Sequence, residues 1–298
     1  MNARPVMTTR TPFRIGIIGA ENSHAAAIAK EINIAKTPAG FAVTHIWGET
    51  AEFAANTAKA GQIPNIVSDP AEMLGQIDGL MVDHRDGQYH VAAARPFVEA
   101  GIPVFVDKPI STSLAEAREF LRFRRERGVP VTTLSSIPYQ SCIGGIRSQL
   151  GTIGALRTVH LNGPGDPHSK YGGIFFYGIH QVDLMISLFG MQAESVMATV
   201  NGSTLASVVS YPDGLNVTIG MPGVKPFSIT VLGMDGAFHE TIKMDASAYA
   251  ATTELFTTMF RSGIEPFDDA RMLAPIAVLE ALRESVATGR KVSVPPVA

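Results

Sequence analysis

The first candidate ligand-binding residues of this chain start at Gly19, which follows an apolar run and precedes a helical stretch. A dinucleotide-binding fold has a glycine-rich turn at this place, because the first amides of the following helix bind the pyrophosphate. Glu21 and His24 stand where such a turn has its second and third glycines. The alternative is a turn that only caps the helix, through Asn22 or Ser23. We predict that the dinucleotide contacts the turn formed by Gly19, Ala20, Glu21, Asn22, Ser23 and His24.

A second candidate, Glu49, follows the next apolar run. In dinucleotide-binding folds an acidic residue at the end of the second strand binds the ribose hydroxyls. Glu49 lies some 30 positions after Gly19, later than the usual spacing of roughly 20, so an exposed turn carboxylate is the alternative. If Glu49 faces the ribose, its charge repels a 2'-phosphate, and the sequence then favours NAD over NADP.

A charged segment, 83–86 (DHRD), follows another apolar run. The carboxyl ends of parallel strands face the ligand crevice. We therefore expect His84 to contact the cofactor and Arg85 to bind an anionic group of the substrate. A surface ion-pair cluster is an equally open interpretation.

The elements that must position these residues alternate between apolar strands and helices from Phe13 to Leu134, which predicts a doubly wound parallel sheet. After Ser135 a helix at 178–189 precedes short strand-like runs broken by Pro-Gly turns, which favours a mostly antiparallel sheet. Two helices, near 248–262 and 269–288, follow. We predict an α/β protein with a flexible tail at 1–12, a Rossmann dinucleotide-binding domain at 13–134, and a substrate or oligomerisation domain with an open sheet at 135–298.

The composition excludes several classes of protein. The formal net charge of -3 leaves no basic stripe for nucleic acid, and no window approaches the roughly 18 apolar residues of a membrane span. The single cysteine suits a reducing compartment. We expect a cytoplasmic protein with a small-molecule substrate and with neither nucleic acid nor membrane as a partner. We predict no metal, because no tight spacing joins His160, Asp166, His168 and His180.

The segment 104–109 (VFVDKP), followed by 113–117 (SLAEA), resembles the Glu-Lys-Pro signature of the glucose-fructose oxidoreductase, inositol dehydrogenase and rhizopine catabolism (Gfo/Idh/MocA) family. Gly19, Gly172-Gly173 and the segment 178–183 (GIHQVD) extend the resemblance. It implies NAD or NADP as cofactor and a second domain whose open sheet forms a homodimer or homotetramer. It also implies that Asp107, Lys108 and Pro109 contact the cofactor, that Lys108 reaches the nicotinamide and substrate, and that His180, on the first turn of a helix, is the acid/base.

The sequence departs from the family around His180. Phe176 stands where the family commonly has an aspartate four residues before the histidine. Tyr177 is expected to replace that carboxylate in part, by relaying a proton or polarising a hydroxyl. Asp183, one helical turn beyond, is expected to orient His180; the alternative is that it binds backbone or a domain-interface partner.

The sequence therefore predicts hydride transfer between NAD(P) and a secondary hydroxyl of a sugar, polyol or related acid. A loop at 164–168 is expected to bring His168, Lys170 and Tyr171 to the substrate. Two alternatives remain open at this point: an enzyme of the same fold that uses nicotinamide in a net hydrolysis or elimination, and a sensor without catalysis.

Overall fold

The computed structural model describes residues 11–297, so the tail predicted at 1–12 lies outside the described residues except for Thr11 and Pro12. The chain divides into two compact units. The first comprises residues 11–111, 115–134 and 249–268, and the second comprises residues 112–114, 135–248 and 269–297. Each unit has its own sheet and its own core.

The strands of the first sheet are β1 (Phe13–Ile18), β2 (Phe41–Trp47), β3 (Asn65–Ile66), β4 (Gly79–Val82), β5 (Val104–Asp107) and β6 (Val131–Leu134). Their order is β3-β2-β1-β4-β5-β6 and every pair is parallel. Strands β4, β5 and β6 are buried along their whole length, as parallel strands covered by helices on both faces must be. The predicted Rossmann fold is confirmed.

The second sheet contains β7 (Leu156–Asn162), β8 (Ser195–Asn201), β9 (Thr204–Ser210), β10 (Asn216–Met221), β11 (Phe227–Gly233), β12 (Ala237–Ile242) and β13 (Val292–Ser293). Its order is β12-β11-β7-β10-β9-β8-β13, with only the β7–β10 pair parallel. The predicted open, mostly antiparallel sheet is confirmed. Strands β7, β12 and β13 of this sheet were not predicted, because apolar residues alternate too weakly in β7 and β12 and β13 has only two residues.

The helices are α1 (Ser23–Lys30), α2 (Ala51–Gly61), α3 (His90–Glu99), α4 (Leu114–Arg127), α5 (Ile143–Leu150), α6 (Phe175–Phe189), α7 (Ser247–Ser262) and α8 (Asp269–Thr288). Helix α6 begins at Phe175, whereas the predicted helix began at Gly178. His180 therefore lies in the second turn of α6, and the expectation that it lies in the first turn was wrong. Among residues 11–297, no helix is both long and apolar enough to cross a membrane.

Most of helix α7 and the residues after it belong to a different unit from the one predicted. Residues 249–268 are part of the first unit, whereas the predicted second domain included them. The Phe256 ring stacks on Phe105 of β5, with 4.6 Å between ring centroids and an interplanar angle of 11°. The Glu265 carboxylate accepts hydrogen bonds from Arg124 at 2.5 and 2.6 Å and from the backbone N–H of Val131 at 2.8 Å. These contacts join residues more than a hundred positions apart, which the order of elements in the sequence does not indicate.

Candidate active site

The turn after β1 has the strand–turn–helix geometry of a nucleotide-binding turn. Gly19 has a φ of 107°, and a Cβ there would lie 2.5 Å from backbone atoms of Asp83 and His84. A side chain is therefore excluded both by conformation and by space. Asn22 caps α1, and its Oδ1 accepts a hydrogen bond from the backbone N–H of His24 at 3.3 Å. The capping function is thus present within a turn that also suits a ligand.

The Glu49 carboxylate lies directly on this turn. Its Oε2 accepts hydrogen bonds from the backbone N–H groups of Ala20 at 2.9 Å and Glu21 at 3.0 Å. Its Oε1 is buried and has no hydrogen-bond partner among the described residues. The contacts differ from those of an exposed turn carboxylate and leave one acceptor atom for a ligand hydroxyl.

Glu21 turns toward Arg85, with 3.8 Å between its Oε1 and Arg85 Nη1. This ion pair explains how an acidic residue is tolerated where a nucleotide-binding turn usually has glycine. Arg85 was expected to bind an anionic group of the substrate, and in the structure it contacts Glu21. This contact agrees with the ion-pair interpretation, and substrate binding by Arg85 stays a prediction.

A buried polar cluster lies at the carboxyl ends of β4 and β5. The Asn22 amide donates hydrogen bonds to Asp83 Oδ1 at 3.1 Å and to Asp107 Oδ2 at 3.0 Å. His24 Nδ1 is hydrogen-bonded to Asp107 Oδ1 at 3.0 Å, and Lys108 Nζ lies 3.8 Å from Asp107 Oδ2. The structure thus brings together four residues that the sequence predicted separately as cofactor contacts, and it adds Asp83.

The two carboxyl groups of this cluster differ in pKa. Burial, followed by the nearby Asp107 charge, raises the pKa of Asp83 well above its usual range. Burial opposes ionisation of Asp107 as well, but the charges of His24 and Lys108 and the hydrogen bond from His24 hold the pKa of Asp107 below its usual value. The cluster therefore places its negative charge on Asp107, beside the Lys108 ammonium.

Ligand-type atoms of His24, Asp83 and Asp107 lie within 4.8 Å of one another, a spacing that would suit a metal ion. The Asn22 amide already donates hydrogen bonds to both carboxyl groups, and the Lys108 ammonium lies beside that of Asp107. A divalent cation would have to displace them. The absence of a bound metal stays a prediction from the sequence.

His84 lies in a cluster of rings after β4. Its centroid is 5.8 Å from Trp47, 5.9 Å from Tyr89 and 6.1 Å from His90. Burial, with a smaller contribution from His90, lowers the pKa of His84 to about 4, so the ring is neutral at neutral pH. The ring nitrogens of His90 lie 2.8 Å from the His84 carbonyl oxygen and 2.7 Å from that of Pro109. His90 thus ties two predicted cofactor contacts together, a structural role that sequence analysis did not assign.

In the second unit, His180 is buried and hydrogen-bonded through Nδ1 to Ser135 Oγ at 2.7 Å. The Ser135 backbone N–H donates to Asp183 Oδ2 at 3.1 Å, and Asp183 Oδ1 forms an ion pair with Arg271 at 2.6 Å. Asp183 was expected to orient His180 directly. It binds backbone, as in the alternative above, and thereby positions the serine that contacts the imidazole.

Ser135 and Arg271 are functional candidates that sequence reasoning missed. Ser135 directly follows β6, and the residue after a parallel strand is a common place for ligand contacts. Its position after β6 could therefore have identified Ser135 from the sequence. Arg271 lies on α8, and nothing in its sequence neighbourhood points to Asp183.

A cavity of about 420 Å³ lies within the second unit, formed by the loop before α6, the first turn of α6, Gly223 and Lys225. The predicted substrate contacts His168 and Tyr171 line it together with Tyr177. The Tyr177 ring centroid lies 6.0 Å from that of His180. A larger cavity, of about 630 Å³, lies beside the C-terminal residues 291–297, and none of the predicted site residues lines it.

Comparison with known proteins gives these observations a context. Residues 13–134 match the model of a family described as an oxidoreductase family with an NAD-binding Rossmann fold. An uncharacterized oxidoreductase of Escherichia coli is 30% identical over 141 residues, which are 42% of this chain and 40% of that protein. The trans-1,2-dihydrobenzene-1,2-diol dehydrogenase of Bos taurus is 26% identical over 145 residues, 43% of each chain. The chain spans about half the length of the curated relatives it matches.

A solved structure shares the fold over nearly the whole chain. Scyllo-inositol dehydrogenase from Lactobacillus casei, determined with NAD(H) and scyllo-inositol, superposes with a TM-score of 0.80 and covers 96% of this chain and 99% of its own, at 15% identity. This likeness concerns the fold. Residues 13–134 are therefore similar to the Gfo/Idh/MocA oxidoreductase family, and they form the parallel Rossmann sheet that the family model describes.

Proposed function

We propose that the protein is an NAD-dependent dehydrogenase or reductase that interconverts a secondary hydroxyl and a ketone on a sugar, polyol or related acid. The observation that carries this proposal is the Glu49 carboxylate, fixed by the turn amides of Ala20 and Glu21 with Oε1 buried and without a partner. A carboxylate at the end of the second strand suits the ribose hydroxyls of NAD. When bound, the nicotinamide accepts or donates the hydride.

Lys108 provides positive charge for the reaction. Its ammonium lies beside Asp107 Oδ2, which also accepts a hydrogen bond from Asn22, while His24 is hydrogen-bonded to Asp107 Oδ1. A lysine fixed in this way stabilises the negative charge that develops on a substrate oxygen as its proton leaves. Asp107 therefore acts as a positioning residue for Lys108.

His180 accepts the hydroxyl proton during oxidation and returns it during reduction. The Ser135 hydroxyl on Nδ1 fixes the orientation of the ring, and the opposite nitrogen is then the one that exchanges the proton. Tyr177, whose ring is near His180, lines the neighbouring cavity and contacts the substrate. Phe176 lines the same cavity and has no charge, so it does not stabilise a protonated His180 as a carboxylate at that position would.

Two variants test the catalytic assignment. Lys108→Ala and His180→Ala are each expected to lower kcat by about 100-fold or more, while NAD still raises the melting temperature of both proteins. His239→Ala, which removes an exposed histidine of the second sheet, is the matched control and should leave kcat unchanged. Turnover near the wild-type rate in both site variants would refute the assignment.

The cofactor assignment is tested separately, by thermal unfolding with NAD, NADP and their reduced forms. NAD is expected to stabilise the wild-type protein more than NADP does, and Glu49→Ser should reduce or reverse this difference because it removes the charge that repels a 2'-phosphate. Stabilisation by neither nucleotide would contradict the proposal and favour a sensor. Nicotinamide that remains bound without net change during turnover would favour a hydrolysis or elimination instead.

We also propose, on family resemblance, that the protein is a homodimer or homotetramer built on the open face of the second sheet. Met197 and Val208, paired across β8 and β9, are exposed on that face, as is Leu232 of β11. Val208→Lys is expected to shift the species seen by light scattering toward the monomer. A monomeric wild-type protein would contradict this part of the proposal.

A further inference from the structure

The cavity in front of α6 carries unbalanced positive charge. Lys170 and Lys225 both line it, and no acidic residue lies within ion-pair distance of either in the part of the chain that the structure describes. Asp166 is the one carboxylate in the lining, and its Oδ1 accepts the backbone N–H of His168 at 2.8 Å. A lysine that faces a cavity without a protein counter-charge suits an anionic ligand.

The same cavity has an aromatic wall. The Phe176 ring centroid lies 5.0 Å from Tyr171 and 4.6 Å from Tyr177. Lys170 Nζ lies 4.8 Å from the Tyr171 centroid, so one ammonium is held at the edge of this wall. Adjacent aromatic faces bind the apolar C–H face of a saturated ring, because that contact removes apolar surface from water.

The size of the cavity agrees with a ligand of this kind. About 420 Å³ lies within the range of roughly 300 to 1,000 Å³ that is typical of small-molecule sites, and a six-membered ring with its substituents fits. The side chain of Phe176 also leaves this wall without a carboxylate that would repel an anion. Tyr177 connects the wall to His180, since their ring centroids are 6.0 Å apart.

We propose that this cavity binds a carboxylated ring polyol, such as a hexuronic acid, with the carboxylate on Lys170 and Lys225 and the ring face against Tyr171 and Phe176. The proposal rests on the proposed function and narrows its substrate class from sugars, polyols and related acids to the acids. Neutral polyols of the same ring size are expected to bind more weakly, because they form no ion pair with the two ammonium groups.

Isothermal titration calorimetry on the full chain with NAD present tests this inference. The probes are D-glucuronate and D-galacturonate, each compared with its neutral counterpart, D-glucose or D-galactose. The wild-type protein should bind at least one acid about tenfold more tightly than its counterpart, and this preference should weaken as salt concentration rises. An equal or stronger affinity for both neutral sugars would overturn the proposal.

Lysine variants identify the groups responsible. The double variant Lys170→Gln and Lys225→Gln should lose the preference for the acid, whereas the double variant with arginine at both positions should keep it. Lys243→Gln, an exposed lysine of the same unit that does not line the cavity, is the matched control and should keep it as well. A preference that persists in the double glutamine variant would overturn the assignment to these lysines.

The binding measurement and the redox assay can refute the two proposals separately. Acid binding that depends on both lysines, without nicotinamide turnover on any sugar, would support the site and refute the proposed function. Turnover of neutral sugars with NAD, without preferential binding of the acids, would refute the site and leave the proposed function standing.

Discussion

Protonation of His84 should destabilise the first unit in mild acid. Burial lowers the pKa of His84 from 6.5 to about 4, and each pH unit of difference corresponds to ~1.4 kcal/mol, so charging the folded protein at this site costs about 3 kcal/mol. Between these two pH values the unfolded chain binds a proton that the native state does not. The free energy of unfolding therefore falls as the pH decreases through this window.

His84→Gln removes this titration while keeping a polar side chain. The difference between the unfolding free energies of the wild-type protein and the variant should change by about 3 kcal/mol from pH 7 to pH 4, with the wild-type protein losing more stability. Urea unfolding followed by fluorescence measures it, because the single tryptophan of the chain, Trp47, lies in the same unit as His84.

Trp47 also reports the pKa of His84 directly. Imidazolium quenches tryptophan fluorescence, and the two ring centroids are 5.8 Å apart. In the native protein the quenching should have a midpoint near pH 4, should vanish in His84→Gln, and should persist in the control His239→Gln. A midpoint near 6.5, or identical pH dependence of stability in both proteins, would refute the reasoning from burial.

Three further substitutions test other parts of the structure. Gly19→Ala places a Cβ 2.5 Å from backbone atoms of the loop after β4. We therefore expect a loss of stability of about 2 kcal/mol or more and a smaller thermal shift with NAD. An unchanged thermal shift would argue against contact between NAD and this turn. Glu265→Gln removes the charge paired with buried Arg124 and should cost about 3 kcal/mol in urea unfolding; a cost below about 1 kcal/mol would show that the pair does not anchor this segment. Ser135→Ala should leave stability nearly unchanged but move the pH profile of kcat, because His180 loses its Nδ1 partner, and Ser135→Thr should restore the profile.

Much of the fold could be read from the sequence because it follows from local patterns. The apolar runs at Phe13–Ile18 and Phe41–Trp47 and the amphipathic pattern at Leu114–Arg127 coincide with the strands and the helix of the structure. Buried strands and one-sided helices have different hydrophobic periods. Helix α6 was predicted to start late, since its first turn, Phe175–Tyr177, is apolar throughout and shows no period.

The candidate site was predicted as a set of residues but not as a set of contacts. Lys108 and Asp107 were identified through the family signature, whereas the proximity of Asp83 to them depends on the pairing of β4 with β5. The predicted link from Asp183 to His180 assumed that residues one helical turn apart interact. In the structure Ser135, which follows β6, connects the two residues: its backbone N–H donates to Asp183 and its hydroxyl is hydrogen-bonded to His180.

Glu49 shows most clearly what each level determines. The order of residues alone predicts that a carboxylate follows the second strand and that a glycine turn follows the first. Its spacing from Gly19 was longer than usual and left the contact undecided. The tertiary structure decided it, because β1 and β2 pair in parallel with Ile18 opposite Trp47. Parallel pairing brings the carboxyl ends of two strands together whatever the length of the chain between them, so the Glu49 carboxylate reaches the amides of Ala20 and Glu21.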